Sequence, residues 1–287
     1  MQPYEQQVAT LYDRLLGYEQ QTDDALTVHK RLRFPDAWQS AGIHDVNDWL
    51  KHNLTISAET RVLDAGCGVG GTLFALLQER GTGVGITLSG RQLTVAETAA
   101  QRLSLQERVH FLQQSYDDPL ESQFDIVITV EALAHSADLT QSIANLATAL
   151  RPKGQLVIVE EMWVGDQSSG WARDLLQASW RLAHVHRQGA YEAALNSAEL
   201  TRLAEHDFTP FVQAKRWPRP LLLAAHHLLC WLPTKQRNVL QIYLGGLALE
   251  TLYAMGQMQY KVWIVGQSGG RKVSEHRSIA RCQRPEP

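Results

Sequence analysis

The sequence predicts an α/β fold, a mainly parallel sheet with helices on both faces, and three observations carry that expectation. The first is the run Val62-Leu63-Asp64-Ala65-Gly66-Cys67-Gly68-Val69-Gly70-Gly71. Apolar residues lead into an aspartate, glycines crowd the next positions, and an apolar helical pattern follows (Leu73, Phe74, Leu76, Leu77). That order reads as strand, tight turn and helix, with bare backbone and a helix N-terminus aimed at a ligand. The second is the alternation of short β-rich runs with helical stretches from about residue 60, the signature of a parallel sheet covered on both faces. The third is size: 287 residues, 44% hydrophobic and 20% charged, bury such a core with insertions to spare.

In chain order, residues 1–55 read as a polar N-terminal helical lid, with Val8, Leu11, Leu15 and Leu16 at helical spacing. A core with helical caps follows over 56–265. Its strands are expected at 61–65, 83–87, 109–112, 124–130 and 155–162. Residues 165–196, rich in Trp, Arg and His, form a first helical cap. A further helix is expected at 197–205 and a sixth strand at 208–215. A second cap spans 218–256 and holds two apolar helices joined by a polar turn at 233–238. The alternating segment QYKVWIV (259–265) reads as the strand that closes the sheet, and 266–287 as a loose polar tail.

Composition excludes several classes. A net charge of −3 argues against a nucleic-acid partner, which needs a basic face. Cys67, Cys230 and Cys282 are scattered without metal spacing, which fits a reducing compartment and no metal site. The N-terminus lacks the charged start and apolar core of a signal peptide, so a cytoplasmic location is expected. Neither 221–232, short and carrying paired histidines, nor 239–256, which contains Glu250, reads as a membrane span. Both remain compatible with peripheral membrane contact, and the protein with a monomer or homodimer.

Gly66, Gly68 and Gly71 satisfy the G-x-G-x-x-G pattern of dinucleotide enzymes, but the second strand ends Gly85-Ile86-Thr87-Leu88-Ser89 without the acid that grips a ribose. Asp64 is also misplaced beside phosphates and well placed beside a cation. The chain resembles the class I S-adenosylmethionine-dependent methyltransferases, with their Rossmann-like sheet and closing antiparallel strand. The resemblance rests on VLDAGCGVGG (62–71), GITLSGRQ (85–92), FDIVITVEALAH (124–135) and LRPKGQLVIVE (150–160), in order and at family spacing. The GITLSxxQ form is similar to the branch of cyclopropane fatty acid synthases and of tocopherol, sterol and prenyl-diphosphate methyltransferases.

What the resemblance implies is an S-adenosylmethionine site, with S-adenosylhomocysteine as product. Asp64, Gly66, Gly68 and Gly70 surround the methionine end. Thr87, Leu88 and Gln92 face the ribose with neutral groups. Val130 lines the site, and Ser115 with Tyr116 stands at the adenine. The family usually has an aspartate where this chain has Ser115, and Asp117 takes the contact if the register slips by two. The candidate catalytic residues are Glu131 and His135, at the carboxyl end of the fourth strand, with Glu131 the better base. A solvated loop carboxylate and a packing histidine are the plainer alternatives.

The caps should set the acceptor. They carry Trp163, Trp171, Trp180, Trp217 and Trp231 with His184, His186, His226 and His227. Their length and aromatic character point to a small apolar acceptor, isoprenoid or lipid-like, methylated at carbon, a reading to which the ending YAMGQMQYKVWIV adds by resemblance to terpenoid and tocopherol methyltransferases. N- or O-methylation of a small natural product is the alternative. Cyclopropanation is less expected, because the family's cysteine is missing from 132–136. Lys215, Arg216 and Arg219 form a basic cluster that either holds an anion or is simply solvated.

Overall fold

The computed structural model describes residues 1–19, 30–120, 123–165, 170–229, 231 and 234–267. Cys230, Cys282, Pro233 and the tail beyond 267 lie outside the described residues. Three helices come first: α1 (Pro3–Glu19), α2 (Asp36–Ser40) and α3 (Val46–Asn53). The alternating unit follows as β1 (Arg61–Ala65), α4 (Gly71–Leu77), β2 (Thr82–Thr87), α5 (Gly90–Arg102), β3 (Val109–Gln113), β4 (Phe124–Val130), α6 (Leu139–Thr148) and β5 (Leu150–Trp163). The remainder is α7 (Trp171–Trp180), α8 (Gln188–Ser197), β6 (Leu200–Asp207), α9 (Arg219–Leu229), α10 (Thr234–Ala254) and β7 (Met258–Gln267).

The strands form one seven-stranded sheet in the order β3-β2-β1-β4-β5-β7-β6. β1 to β5 pair in parallel, and β7 runs antiparallel to both β5 and β6. The strand order reverses between β1 and β4's side of the sheet, and such a crevice at the carboxyl ends is where α/β folds bind ligands. Alternate residues of each strand feed two cores. Val62, Ile126, Val157 and Val262 pack with α3, α4 and α5 and with the caps. Leu63, Val127, Leu156 and Trp263 pack with α6 and α8. Side-chain caps start three helices: Asp45 accepts from the Asp48 amide, Ser89 from Gln92 and Asp138 from Gln141, each worth about 1 kcal/mol.

Several expectations need correction. The sixth strand lies at Leu200–Asp207 and not at 208–215, where Pro210 sits in a single 3₁₀ turn. The helix expected at 197–205 is therefore the end of α8 and this strand. β6 is the sheet edge, so Thr201, Arg202 and Glu205 meet solvent and blur the alternation that marks a strand. The antiparallel strand 258–267 is present, but β6 covers its outer side, and it extends through Gln267 into the segment read as tail. β5 starts at Leu150, five residues before the expected 155, because the irregularity between Phe124 and Ile126 accommodates Pro152, Lys153 and Gly154. The polar turn is also shorter, since α10 begins at Thr234.

Candidate functional site

At the end of β1, Asp64 is 2% exposed, and its Oδ2 is a buried oxygen with no hydrogen-bond partner. Burial raises its carboxyl to about 7. The turn that follows has left-handed backbone at Gly66 (φ +87°), Gly68 (φ +55°) and Gly70 (φ +90°). These glycines do different things. A Cβ on Gly66 would lie 2.4 Å from the Ala132 Cβ, and one on Gly70 2.7 Å from the Phe111 ring. Those two are needed for packing. In front of Gly68 the nearest atom is the Gln92 Nε2, 3.8 Å away, so Gly68 borders open space. A partnerless buried acid beside an open glycine fits a ligand with a cationic group and a chain pressed against backbone. Cys67, buried with its thiol pushed well up by burial and then by Asp64, is no nucleophile.

The other expected donor contacts cluster on the neighbouring strand ends. Thr87 Oγ1 donates to Gln92 Oε1 at 2.8 Å. The Leu88 carbonyl accepts from Gln113 Nε2 at 3.0 Å. Ser115 Oγ accepts from the Asp117 amide at 3.0 Å, and Tyr116 donates to the Ala132 carbonyl at 3.1 Å. Val130 is buried. Sequence reasoning did not foresee the hydrogen bonds that tie this rim to α1. Ser115 Oγ donates to Glu5 at 2.5 Å, and Ser89 Oγ donates to Asp13 at 2.5 Å, 76 residues away in sequence.

Glu131 follows β4 with φ +53°, an uncommon conformation for a non-glycine residue that recurs at functional sites. Its amide donates to the Val159 carbonyl at 2.9 Å. Its Oε1 accepts from the Tyr260 hydroxyl at 2.6 Å and from the Lys30 amide at 2.8 Å. Next to it, Glu160 Oε1 accepts from the amides of Ala132 and Leu133 at 2.7 and 2.6 Å and so clamps the loop that carries Glu131. Glu161 pairs with the Lys30 ammonium at 2.6 Å, and the same ammonium lies 4.9 Å from the Tyr253 ring centroid. Burial alone would pull Lys30 down, but Glu161, Glu131 and Glu250 hold it above its usual value. Burial raises Glu161, partly offset by Lys30. Tyr253 and Tyr260 are pushed well up, first by burial and then by the carboxylates they face. None of these partners of Glu131 was legible as such from the sequence.

His135 stands apart from that cluster's chemistry. Burial lowers it to about 4, so it is neutral near pH 7. Its Nε2 shares a hydrogen bond with the Tyr12 hydroxyl of α1 at 2.9 Å. The cap aromatics also separate. Trp163 is core, Trp180 Nε1 donates to the Ile242 carbonyl at 3.0 Å, and Trp231 is 88% exposed. Trp217 Nε1 donates to Glu250 at 2.8 Å, and Trp171 is half-buried. His186 Nε2 bonds the Ser136 carbonyl oxygen at 2.9 Å, 5.9 Å from the His184 ring as measured between centroids. Lys215 lies over the Trp217 ring, 4.6 Å from its centroid.

Residues 56–215 match the family model described as a methyltransferase domain. Methyltransferase GfsG of Streptomyces halstedii is 34% identical over 170 residues, which cover 56% of this chain and 61% of the relative. The chain spans less than two thirds of the length of this and the next curated relatives it matches. Among solved structures, geranyl diphosphate C-methyltransferase from Streptomyces coelicolor A3(2), determined with Mg2+, geranyl diphosphate and S-adenosyl-L-homocysteine, superposes with a TM-score of 0.69 at 18% identity. The match covers 93% of this chain and 98% of that one. The cyclopropane synthase MmaA2 from Mycobacterium tuberculosis gives 0.71 at 16% identity, over 92% and 99%. At these identities the two structures share the fold.

Proposed function

The chain belongs to the methyltransferase domain family, and from that premise we propose that it transfers methyl from S-adenosylmethionine to a carbon of a small apolar acceptor, isoprenoid or lipid-like. When bound, the donor supplies a methyl group made electrophilic by a positively charged sulfur. The observation that carries the reading is the pairing of two acids on adjacent strands: Asp64, buried without a partner at the end of β1, and Glu131, gripped in a left-handed conformation at the end of β4.

Asp64 would hold the donor's ammonium, an ion pair that gives its orphaned oxygen a partner and favours its charged form. Gly68 lets the backbone come close. Thr87 and Gln92 offer neutral hydrogen bonds to the ribose by exchanging their mutual bond, and Leu88 and Val130 give apolar walls. Ser115, Tyr116 and Asp117 stand where the adenine is expected, and the contacts of α1 with Ser89 and Ser115 support the reading of the N-terminal helices as a lid.

Glu131 takes the proton that the acceptor sheds as its new bond forms. Tyr260 and the Lys30 amide keep that carboxylate aimed. His135 is less suited to proton removal, because a base held near 4 is weak and its Nε2 is engaged by Tyr12. It positions the lid.

The acceptor reading rests on the caps. α7, α9 and α10 bury apolar residues such as Leu175, Leu222 and Leu252 in the same core as the sheet. The Lys30 ammonium over Tyr253 and against Glu161 shows walls that tolerate a cation. Lys30 already occupies that ring and acid, so a positive charge developing on an alkene skeleton would be drawn to the Glu131 carboxylate instead. The same carboxylate supports a second reading, N-methylation of an amine, with Glu131 again taking the proton.

Incubation of the purified protein with labelled donor and separate isoprenoid, phenol and amine acceptors tests the proposal. A labelled product with an isoprenoid is expected. Labelling restricted to amines or phenols would replace it with the second reading or with O-methylation.

A further inference from the structure

Beyond the methyl-transfer site, the surface of α9 and α10 carries a pattern that folding does not require. Leu221 is 55% exposed and Leu228 68%, and Trp231, at 88%, exceeds every other large apolar side chain among the described residues. At 100° per residue, Leu221, exposed Ala224 and Leu228 fall within about 60° of one another on α9. The Trp231 amide donates to the Leu228 carbonyl at 3.1 Å. On α10, Leu240 (44%) and Tyr243 (65%) add an exposed pair three residues apart. The opposite side of α9 is already satisfied, with Leu222 buried at 1% in the core. The outward face of a surface helix is normally polar, and here Leu221, Ala224 and Leu228 stand on it with His227 at their side.

Charge says what such a face fits. Between Asp207 and Glu250 the sequence contains no aspartate or glutamate, and it carries Lys215, Arg216, Arg219, Lys235 and Arg237, in a chain whose net charge is −3. Lys215, Arg216 and Arg219 are exposed where the chain enters α9. A second copy of the chain docked symmetrically would set these cations against one another. An anionic lipid surface complements both features: headgroups pair with the cations, and the leucines and tryptophan enter the interfacial layer. No helix among the described residues is long and apolar enough to cross a membrane, so the contact lies on the surface.

We infer that the exposed face of α9 and the following Trp231, with Arg216 and Arg219 exposed at the N-terminal end of the helix, is a docking surface for anionic membrane lipid. The full chain is sedimented with vesicles of phosphatidylcholine alone and with vesicles of two parts phosphatidylcholine to one of phosphatidylglycerol. It should partition onto the anionic vesicles and be released by salt. The double variant Leu228→Gln/Trp231→Gln and the double variant Arg216→Glu/Arg219→Glu should each lower partitioning by about tenfold or more. Their thermal unfolding should match the parent, since these side chains are exposed. Failure to bind either vesicle would overturn the inference, and so would equal binding by parent and variants. A concentration-dependent dimer in sedimentation velocity that is lost in Leu228→Gln/Trp231→Gln, without vesicle binding, would make the face an interface between copies and also overturn it. None of these readouts uses methyl transfer, so the result stands apart from the proposed activity.

Discussion

A buried acid raised to about 7 makes donor binding depend on pH in a specific way. In the ligand-free protein Asp64 is about one-eleventh ionised at pH 6 and ten-elevenths at pH 8. If the donor's ammonium seats on the carboxylate, the bound state holds Asp64 ionised, and binding below pH 7 must release a proton. Affinity then rises with pH up to about 7 and levels off above it. Between pH 6 and 8 the gain is about tenfold, or about 1.4 kcal/mol. His135, held near 4, contributes nothing in that window. Calorimetric titration with S-adenosylhomocysteine, repeated in buffers of different ionisation enthalpy, reads both the affinity and the proton. Asp64→Asn should bind more weakly at pH 8 and lose the pH dependence, and its curve also corrects for titration of the ligand. The linkage has a second consequence. A raised carboxyl stabilises the folded state at low pH, so the ligand-free protein should lose stability as pH climbs from about 4 through 7, and Asp64→Asn should not. A flat affinity from pH 6 to 8, or an Asp64→Asn variant with the parent's pH curve, would refute the assignment of Asp64 to the ammonium.

Glu131→Gln should lower single-turnover transfer by about a hundredfold or more with donor affinity unchanged, and Tyr260→Phe by about three- to tenfold, as measured by rapid quench with labelled donor. Gly68→Ala places a methyl in open space at φ +55°. It should cost about 1 kcal/mol of stability and weaken donor binding at least tenfold, whereas Gly70→Ala, which meets the Phe111 ring at 2.7 Å, should mainly lower the melting temperature. Lys30→Met strands Glu161, whose side chain is 10% exposed, without its partner. A loss of about 3 kcal/mol is expected in denaturant unfolding at pH 8, shrinking at low pH as Glu161 takes up a proton, with Lys30→Met/Glu161→Gln recovering most of it.

The local parts of this protein were legible in its sequence because local chemistry dictates them. Residues 61–65 and 124–130 are strands at the expected bounds, since they are buried on both faces and read as near-continuous apolar runs. The glycine turn was legible for the same reason. Strand β6 was not, because an edge strand carrying Arg202 and Glu205 has no clean alternation, and aromatic Phe208 and Phe211 drew the assignment downstream. The site was half legible. Asp64 and Glu131 stand where strand ends placed them, but what holds Glu131 comes from Lys30 and Tyr260, 101 and 129 residues away. Contacts of that span leave no periodic trace. Gly66, Gly68 and Gly70 looked equivalent in the motif, and packing against Ala132 and Phe111 separates them.

The central claim joins a donor held at Asp64 to a carbon acceptor deprotonated by Glu131. It is tested most directly by turning over donor carrying a carbon-13 methyl with an isoprenoid acceptor and reading the product by carbon NMR. The account predicts a labelled methyl bonded to carbon, formed by Glu131→Gln about a hundredfold more slowly or slower still. A methyl on nitrogen or oxygen, or no labelled product from any acceptor beside firm donor binding, would contradict it.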